Sequence, residues 1–222
     1  MKTFVLCWLF VAVIVGFSGI LRNTALPMPA FCLAITLTLL AVLAVSRELR
    51  ERALSAGIRG LVAVHLVRFF GIYFLWLSRH GLVARDFAVL AGWGPIIIAI
   101  GALLVLIAFR PDDARGRQAI LIWNVIGLLD VALAFAVMAQ MARPDPLLQG
   151  GFASLPLSLL PTFIVPLIIV SHVLIFVWWF RQRGKDHHRD TETQIDLPNF
   201  SRSFRLKPEA TGVEGKADKT SA

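Results

Sequence analysis

The sequence has few charged residues. Asp, Glu, Lys and Arg make up 16% of the 222 residues, while 57% are hydrophobic. Soluble domains average about 25% charged and about 45–50% apolar residues. This composition therefore excludes an ordinary soluble domain and predicts an integral membrane protein that contacts a lipid bilayer. The net charge of +8 is concentrated in short loops and a tail, which indicates membrane topology rather than nucleic-acid binding.

Cysteine is also scarce. The two cysteines, Cys7 and Cys32, lie in apolar segments near opposite membrane faces, so no disulfide is expected, and no Cys-x-x-Cys pair occurs. The His-Glu-x-x-His and Gly-x-Ser-x-Gly motifs of zinc peptidases and serine hydrolases are missing too. No convincing internal repeat supports an inverted-repeat transporter. We therefore predict no metal site and no catalytic residues, and an enzyme is the less favoured class.

Apolar segments of membrane-spanning length are abundant. Crossing the hydrocarbon core takes about 20 residues of helix, and six segments qualify. They cover residues 3–21, 28–46, 58–78, 87–109, 119–141 and 158–180. We predict an all-α bundle of six transmembrane helices over residues 1–183. The first segment is longer than a signal-peptide core, which favours a retained helix over a cleaved signal.

Lysine and arginine are distributed unequally between the two sides of this bundle. Without the tail, one side carries eight of them and the other side four. The positive-inside rule places the side with eight in the cytoplasm. Both termini are on that side, so we expect both to be cytoplasmic.

Residues 184–222 form a polar, basic tail with too few apolar residues to bury a core, and we predict it to be disordered. We interpret His187 and His188 as solvated side chains rather than metal ligands. In NFSRSFRLK, Phe200 and Phe204 alternate with basic residues. Contact of this segment with anionic lipid is therefore an open alternative.

Four ionisable residues and one amide lie deep inside the predicted helices: His65, Arg68, Asp130 and His172, with Asn124. An ionisable residue at the centre of a membrane helix costs about 2.5–3.5 kcal/mol, so it normally faces a partner or a wet cavity. Counting residues from the membrane faces places Arg68 and Asp130 in one layer near the midplane. The other three share a second layer. We predict a buried Arg68–Asp130 ion pair flanked by Asn124, His65 and His172.

Glycine and proline surround these polar residues in the sequence. The helix containing Gly92, Gly94 and Pro95 is predicted to break or kink there, and two prolines do the same to the outer half of the last helix. Together the kinks are expected to shape an outward vestibule. The cavity-shaping candidates are Gly92, Gly94, Pro95, Gly127, Pro161 and Pro166.

Three classes of function stay open. In the first, the polar residues serve a small transporter or a protein that handles protons or ions. In the second, they only fix helix packing in a structural or accessory subunit, which joins a homo-oligomer or a membrane partner. The third is chemistry. It includes a haem b held by His65 and His172, a metal-dependent hydrolase that adds Asp130 as a ligand, and a lipid-modifying enzyme. The first two classes need no cofactor.

Three blocks of the sequence occur in order between residues 65 and 178: RFFGIYFLWLSRHGLVARDFAVLAGWG, WNVIGLLDVALA and LLPTFIVPLIIVSHVLI. Together they resemble a group of small, generally uncharacterised, multi-pass integral membrane proteins of bacteria. The resemblance implies a bacterial cytoplasmic membrane and supplies no activity. It implies motif positions for Arg68, Asn124, Asp130 and His172. The chain departs from the pattern at Pro95, where the group has Asp, and at His65, where it has an amide. These departures weaken a cation or proton role and the haem alternative.

Overall fold

Helices dominate the computed structural model, which describes residues 2–23, 27–141 and 151–195, and no strand occurs in these ranges. The predicted all-α class is confirmed. A 3-10 segment covers Val64–Phe70, and a π-helical turn covers Leu160–Ile164. The α-helices are α1 Lys2–Ser18, α2 Met28–Val45, α3 Arg47–Leu54, α4 Gly57–Ala63, α5 Gly71–Arg79, α6 Arg85–Ala108, α7 Ala114–Met141 and α8 Val165–Ile195.

Five helical stretches of the described ranges are long and apolar enough to cross a membrane. They are Met28–Val45, Gly57–Arg79, Arg85–Ala108, Ala114–Met138 and Leu160–Gly184. The first predicted segment, 3–21, is shorter in the structure, since α1 has 17 residues and ends at Ser18. Gly19 follows with a φ of 69°, the left-handed conformation that commonly ends a helix. The structure therefore supports five of the six predicted spans by length and composition.

A short polar helix, α3, occupies a stretch that was predicted as a connection. The Oγ of Ser46 caps it by accepting a hydrogen bond from the Leu49 amide at 3.3 Å. Nη1 of Arg50 donates to the carbonyl oxygens of Leu43 and Ala44, both at 3.1 Å. These carbonyls lie at the end of α2, where a helix leaves its last oxygens without amide partners. Hydropathy cannot detect α3, because five of its eight residues are charged.

The third predicted helix, 58–78, is a composite of α4, the 3-10 segment and α5. Because a 3-10 helix has three residues per turn, side chains three positions apart lie in line. His65 and Arg68, three positions apart in this segment, therefore lie in line, whereas an α-helix would set them about 60° apart. Buried residues recur at this three-residue spacing through α4, the 3-10 segment and α5: Val62, His65, Arg68, Gly71, Phe74 and Leu77.

Of the break or kink predicted at Pro95, the break is absent, since α6 continues through it from Arg85 to Ala108; the kink stays a prediction. Proline removes one backbone hydrogen bond, and apolar helices tolerate that loss where neighbouring helices and local adjustments compensate. Pro161 lies in the π-helical turn, so the disruption predicted there is a change of helix type. Pro166 lies in the first turn of α8, where a missing amide hydrogen costs little.

The last helix continues to Ile195, past the predicted start of disorder at residue 184. An established helix extends at low cost, because each added residue gains a hydrogen bond without a new nucleation step. The chain divides into two units between Gln182 and Arg183, next to the predicted domain boundary. Some predictions lie outside the described residues. They concern Arg143, the side chains of His187 and His188, and residues 196–222 with Phe200 and Phe204.

The two ends of the helices in the first unit differ in character. At one end, Arg181 makes a two-point ion pair with Glu51, with N–O distances of 2.7 and 2.9 Å. At the same end, Nη2 of Arg59 donates to the Leu106 carbonyl at 2.7 Å. We call this the basic end and the opposite one the far end. An apolar cluster at the far end contains Leu21, Met28, Phe74, Leu77, Phe87 and Phe152.

Helix α1 packs antiparallel to the π-helical turn and α8. Nε1 of Trp8 donates to the Thr162 carbonyl at 3.1 Å, and the Trp8 ring meets Phe163 edge-on. Further along α1, a Cβ added to Gly16 would collide with the Ser158 hydroxyl. Later residues of α1 thus contact earlier residues of the segment that leads into α8. Helix α1 therefore begins at the basic end.

Candidate functional site

The five predicted polar residues meet between the 3-10 segment, α7 and α8. We call Arg68, Asp130, Asn124, His172 and His65 the polar cluster. His65, Asn124 and His172 are completely buried, and Arg68 is 4% exposed. The Asp130 side chain is the accessible member, at 16% exposed.

Arg68 connects the cluster. Its Nη1 lies 2.7 Å from Asp130 Oδ2, so the predicted ion pair is present. Its Nη2 donates to the Gly127 carbonyl at 3.1 Å and lies 3.0 Å from Nε2 of His172. Arg68 therefore keeps two partners even without Asp130.

His172 and Asn124 are joined by two hydrogen bonds. Nδ1 of His172 lies 2.7 Å from Asn124 Oδ1, and Asn124 Nδ2 donates to the His172 carbonyl at 3.2 Å. This pair ties the middle of α7 to α8. Through its other nitrogen His172 also links the two predicted layers, because it contacts Arg68 as well.

His65 has partners that the sequence did not indicate. Its Nε2 lies 2.9 Å from the hydroxyl of Ser171, which also donates to the Ile168 carbonyl at 2.8 Å. The His65 ring is tilted by 55° to the ring of His172, with 4.3 Å between the ring centroids, and meets Trp123 edge-on at 4.8 Å. Within the described ranges, Nδ1 of His65 has no hydrogen-bond partner. The position of Ser171 beside His172 in the chain was the available signal, but a serine costs too little in a membrane helix to attract notice.

Glycines make room for the cluster. A Cβ added to Gly94 would collide with Asp130 Oδ1, and one added to Gly127 would lie 2.7 Å from Cε1 of His172. Gly92 lets α6 approach Leu75, and a Cβ added to Gly71 would meet the Gly92 carbonyl. Gly71 was not predicted, although it continues the three-residue spacing of His65 and Arg68.

A cavity of about 120 Å³ begins at Arg68 and Asp130 and extends toward the far end. We call it the far-end cavity. Among the predicted cavity-shaping residues, Pro95 and Pro161 line it, while the others do not. Its lining residues are Cys32, Val67, Arg68, Phe70, Gly71, Phe74, Ala91, Pro95, Asp130, Val131, Ala134, Phe135, Met138, Leu160, Pro161, Ile164, Val165 and Ile168.

A second cavity, of about 250 Å³, lies toward the basic end between α1, α2, α3, α4 and α8. Apart from Arg52 and Ser171, its described lining is apolar. Ser171 bonds His65, so this basic-end cavity and the far-end cavity approach the polar cluster from opposite sides.

The arrangement does not fit the haem alternative. A haem between two histidines needs a free nitrogen of each ring facing one iron, with a porphyrin between the rings. Here the rings are in contact, and Nε2 of His172 faces Arg68.

The hydrolase alternative needs about three ligands around an open metal position. Among the described residues, no such group of His, Cys, Asp and Glu side chains forms.

By its fold and site, the chain is an all-helical protein with helices suited to a membrane and a buried polar cluster. It belongs to the family described as a domain of unknown function (DUF8737), whose family model matches residues 25–180. No curated protein and no solved structure matches the chain. The matched range includes the whole polar cluster, and α1 lies before it.

Proposed function

We propose that the chain is a six-helix integral protein of the bacterial cytoplasmic membrane, with both termini in the cytoplasm. The 17 residues of α1 rise about 26 Å, close to the hydrocarbon thickness of about 30 Å. Its antiparallel packing on α8 supports a sixth crossing. The bacterial assignment depends on the resemblance of the three sequence blocks.

The charge of the two ends supports this orientation. Within the first unit, the described part of the basic end carries eight arginines: Arg47, Arg50, Arg52, Arg59, Arg110, Arg115, Arg117 and Arg181. The far end carries three, namely Arg22, Arg79 and Arg85. Cytoplasmic loops are enriched in Lys and Arg, so the basic end is assigned to the cytoplasm.

Single cysteines test the topology in a Cys7→Ser/Cys32→Ser background. Leu82 is exposed at the far end and Asp112 at the basic end. In intact cells, a membrane-impermeant maleimide should label Leu82→Cys and should label Asp112→Cys only after lysis. The reverse pattern would refute the orientation, and labelling of both would refute the membrane assignment.

At the polar cluster, we propose the handling of a proton or a small solute, as in a small transporter. One observation carries this proposal: Asp130 is the accessible member of an otherwise buried cluster, and with Arg68 it forms the floor of the far-end cavity. Arg68 holds the carboxylate through Oδ2 only. Since Arg68 is anchored by Gly127 and His172 as well, Asp130 can exchange its partner while the arginine stays in place.

Proton uptake into liposomes tests this role. Purified protein, reconstituted with a pH-sensitive dye inside the vesicles, should admit protons under an imposed gradient, and Asp130→Asn should abolish the flux while the protein stays folded. Asp113→Asn, in the exposed turn before α7, is the matched control and should retain the flux. If the unsubstituted protein admits neither protons nor a labelled solute from a panel, the transporter role is refuted.

The second candidate is a structural subunit whose cluster only fixes helix packing. The two hydrogen bonds between Asn124 and His172 favour it, because both residues are completely buried and closed to any solute. Asp130→Asn removes the carboxylate charge beside Arg68 and should lower the melting temperature in either role. In the structural role the unsubstituted protein also shows no flux, and this absence separates the two candidates.

A further inference from the structure

We propose that the far-end cavity binds an uncharged amphiphile, a lipid-like molecule whose hydroxyl group donates a hydrogen bond to Asp130. This inference rests on the proposed function, since it names the ligand class of the same site. It follows from the walls of the cavity, the charge of its floor and the hydrogen-bonding atoms that the floor leaves unused.

The walls favour an apolar body. The polar members of the described lining are Cys32, Arg68 and Asp130. A fully polar solute would lose its hydration here without replacement, which is costly. Val67 and Ala134 line the cavity and are also exposed, so the cavity opens at the apolar outer surface of the helices. A molecule dissolved in the lipid would enter there.

The floor favours an uncharged head group. The positive charge of Arg68 and the negative charge of Asp130 balance each other at 2.7 Å. A carboxylate or an ammonium group brought to this pair would add an unbalanced charge in an apolar surrounding, which is strongly unfavourable. A hydroxyl group adds none.

The floor also leaves hydrogen-bonding atoms without partners. Asp130 Oδ2 accepts from Arg68, while no described residue donates to Oδ1, which lies beside Gly94. Nε of Arg68 is buried and has no acceptor within the described ranges. The accessible carboxylate oxygen calls for a donor, and a hydroxyl group can accept as well as donate. An alcohol therefore satisfies this floor.

The two natural cysteines allow a protection experiment. Cys32 lines the cavity and is buried, so Val67→Cys, at an exposed position of the same lining, is measured beside it; Cys7, exposed on α1, is the internal reference. The reconstituted protein is treated with N-ethylmaleimide at constant pH, and mass spectrometry follows the alkylation of each cysteine. The probes are dodecan-1-ol, dodecane, dodecanoate and dodecylamine. At about ten times its dissociation constant, dodecan-1-ol should slow alkylation of Cys32 about tenfold and leave Cys7 unchanged.

The other probes give the outcomes that overturn the proposal. Equal protection by dodecane would mean that the cavity takes any alkyl chain. Stronger protection by dodecanoate or dodecylamine would mean a charged head group. Absence of protection by every probe would mean that the cavity is closed. Each of these results refutes the hydroxyl amphiphile.

Cavity-filling variants locate the site. Ala134→Phe places a ring in the wall and should abolish protection by dodecan-1-ol, while Ala132→Phe, exposed on the same helix but outside the lining, should not. Equal effects of the two variants would place the alcohol elsewhere. The two hypotheses fail separately: proton flux without protection refutes the amphiphile alone, and protection without transport refutes only the transport role.

Discussion

Nη2 of Arg68 lies 3.0 Å from Nε2 of His172. A guanidinium group only donates hydrogen bonds, so this ring nitrogen must accept. The proton of His172 is therefore on Nδ1, where Asn124 Oδ1 accepts it at 2.7 Å. The ring is neutral, its tautomer is fixed by two neighbours, and neither nitrogen is left for a metal.

Nitrogen NMR of histidine-labelled protein at neutral pH should show His172 with a protonated Nδ1 and an unprotonated Nε2. His172→Gln identifies the signal by its disappearance. A proton on Nε2 would contradict the contact with Arg68.

Replacing Asn124 with leucine should destabilise the protein. It leaves the Nδ1–H of His172 buried without an acceptor, which costs about 1–3 kcal/mol. The measurement is the free energy of unfolding in mixed detergent micelles. Val125→Ala, at a position 40% exposed on the same helix, is the control and should change it by less. Equal losses would show that Asn124 contributes only packing.

Removing one partner of the ion pair should cost more than removing both. Arg68→Met or Asp130→Leu alone leaves an unbalanced buried charge, at about 3–5 kcal/mol. The double variant removes both charges and should recover a large part of that loss. Exchanging the two residues is a weaker test, because an arginine at position 130 would lose the Gly127 and His172 acceptors. Additive losses in the double variant would argue against the pair.

Gly94→Ala should displace the Asp130 carboxylate, because the added methyl group occupies the place of Oδ1. Overpacking of this kind costs about 1–3 kcal/mol. The matched control is Gly60→Ala in α4, where the nearest atom, Cβ of Ala56, is 3.5 Å away. Alanine there should be neutral or stabilising, since it favours helix. Comparable melting temperatures for the two variants would contradict the close approach at Gly94.

The ion pair between Glu51 and Arg181 should make stability depend on pH. Hydrogen bonds from Arg181 lower the pKa of Glu51 below its ordinary value of 4.5. A lowered carboxyl pKa contributes stability that is fully present above the ordinary pKa and is lost as the pH falls through the lowered one. The melting temperature should therefore fall with Glu51→Gln at neutral pH and hardly change once the pH is below the lowered pKa of Glu51. Both residues are accessible, so high salt should reduce the difference.

Glu48→Gln is the control, since Glu48 pairs with Arg52 inside α3 and not with α8. A Glu51→Gln effect that persists at acidic pH would contradict an electrostatic origin.

Hydropathy was sufficient to predict the long apolar helices, and the cost of polar residues in lipid was sufficient to select the cluster. The pairing of Arg68 with Asp130 was predicted by counting residues from the membrane face. The two residues lie at the same depth, and residues at equal depth on neighbouring helices lie side by side. The charged helix α3 was not predictable in this way, since its stability depends on the cap at Ser46 and on the Arg181–Glu51 contact between distant segments.

The surroundings of the cluster were harder to predict. Trp123 and Ser171 attract no attention as single residues, and only the packing of α7 and α8 brings them to His65. At Pro95 the sequence left both a break and a kink open within one predicted helix, because a local rule for proline ignores the neighbouring helices; α6 continues through it.

The 3-10 segment Val64–Phe70 has a mechanical consequence. At 2.0 Å and 120° per residue, its seven residues are about 3.5 Å longer and about 140° further wound than the same residues in an α-helix. In this segment the length between α4 and α5 and the rotation of one helix relative to the other are therefore coupled. Any relaxation to α geometry would draw these two helices together and turn one against the other, and Arg68 lies within the segment that would change.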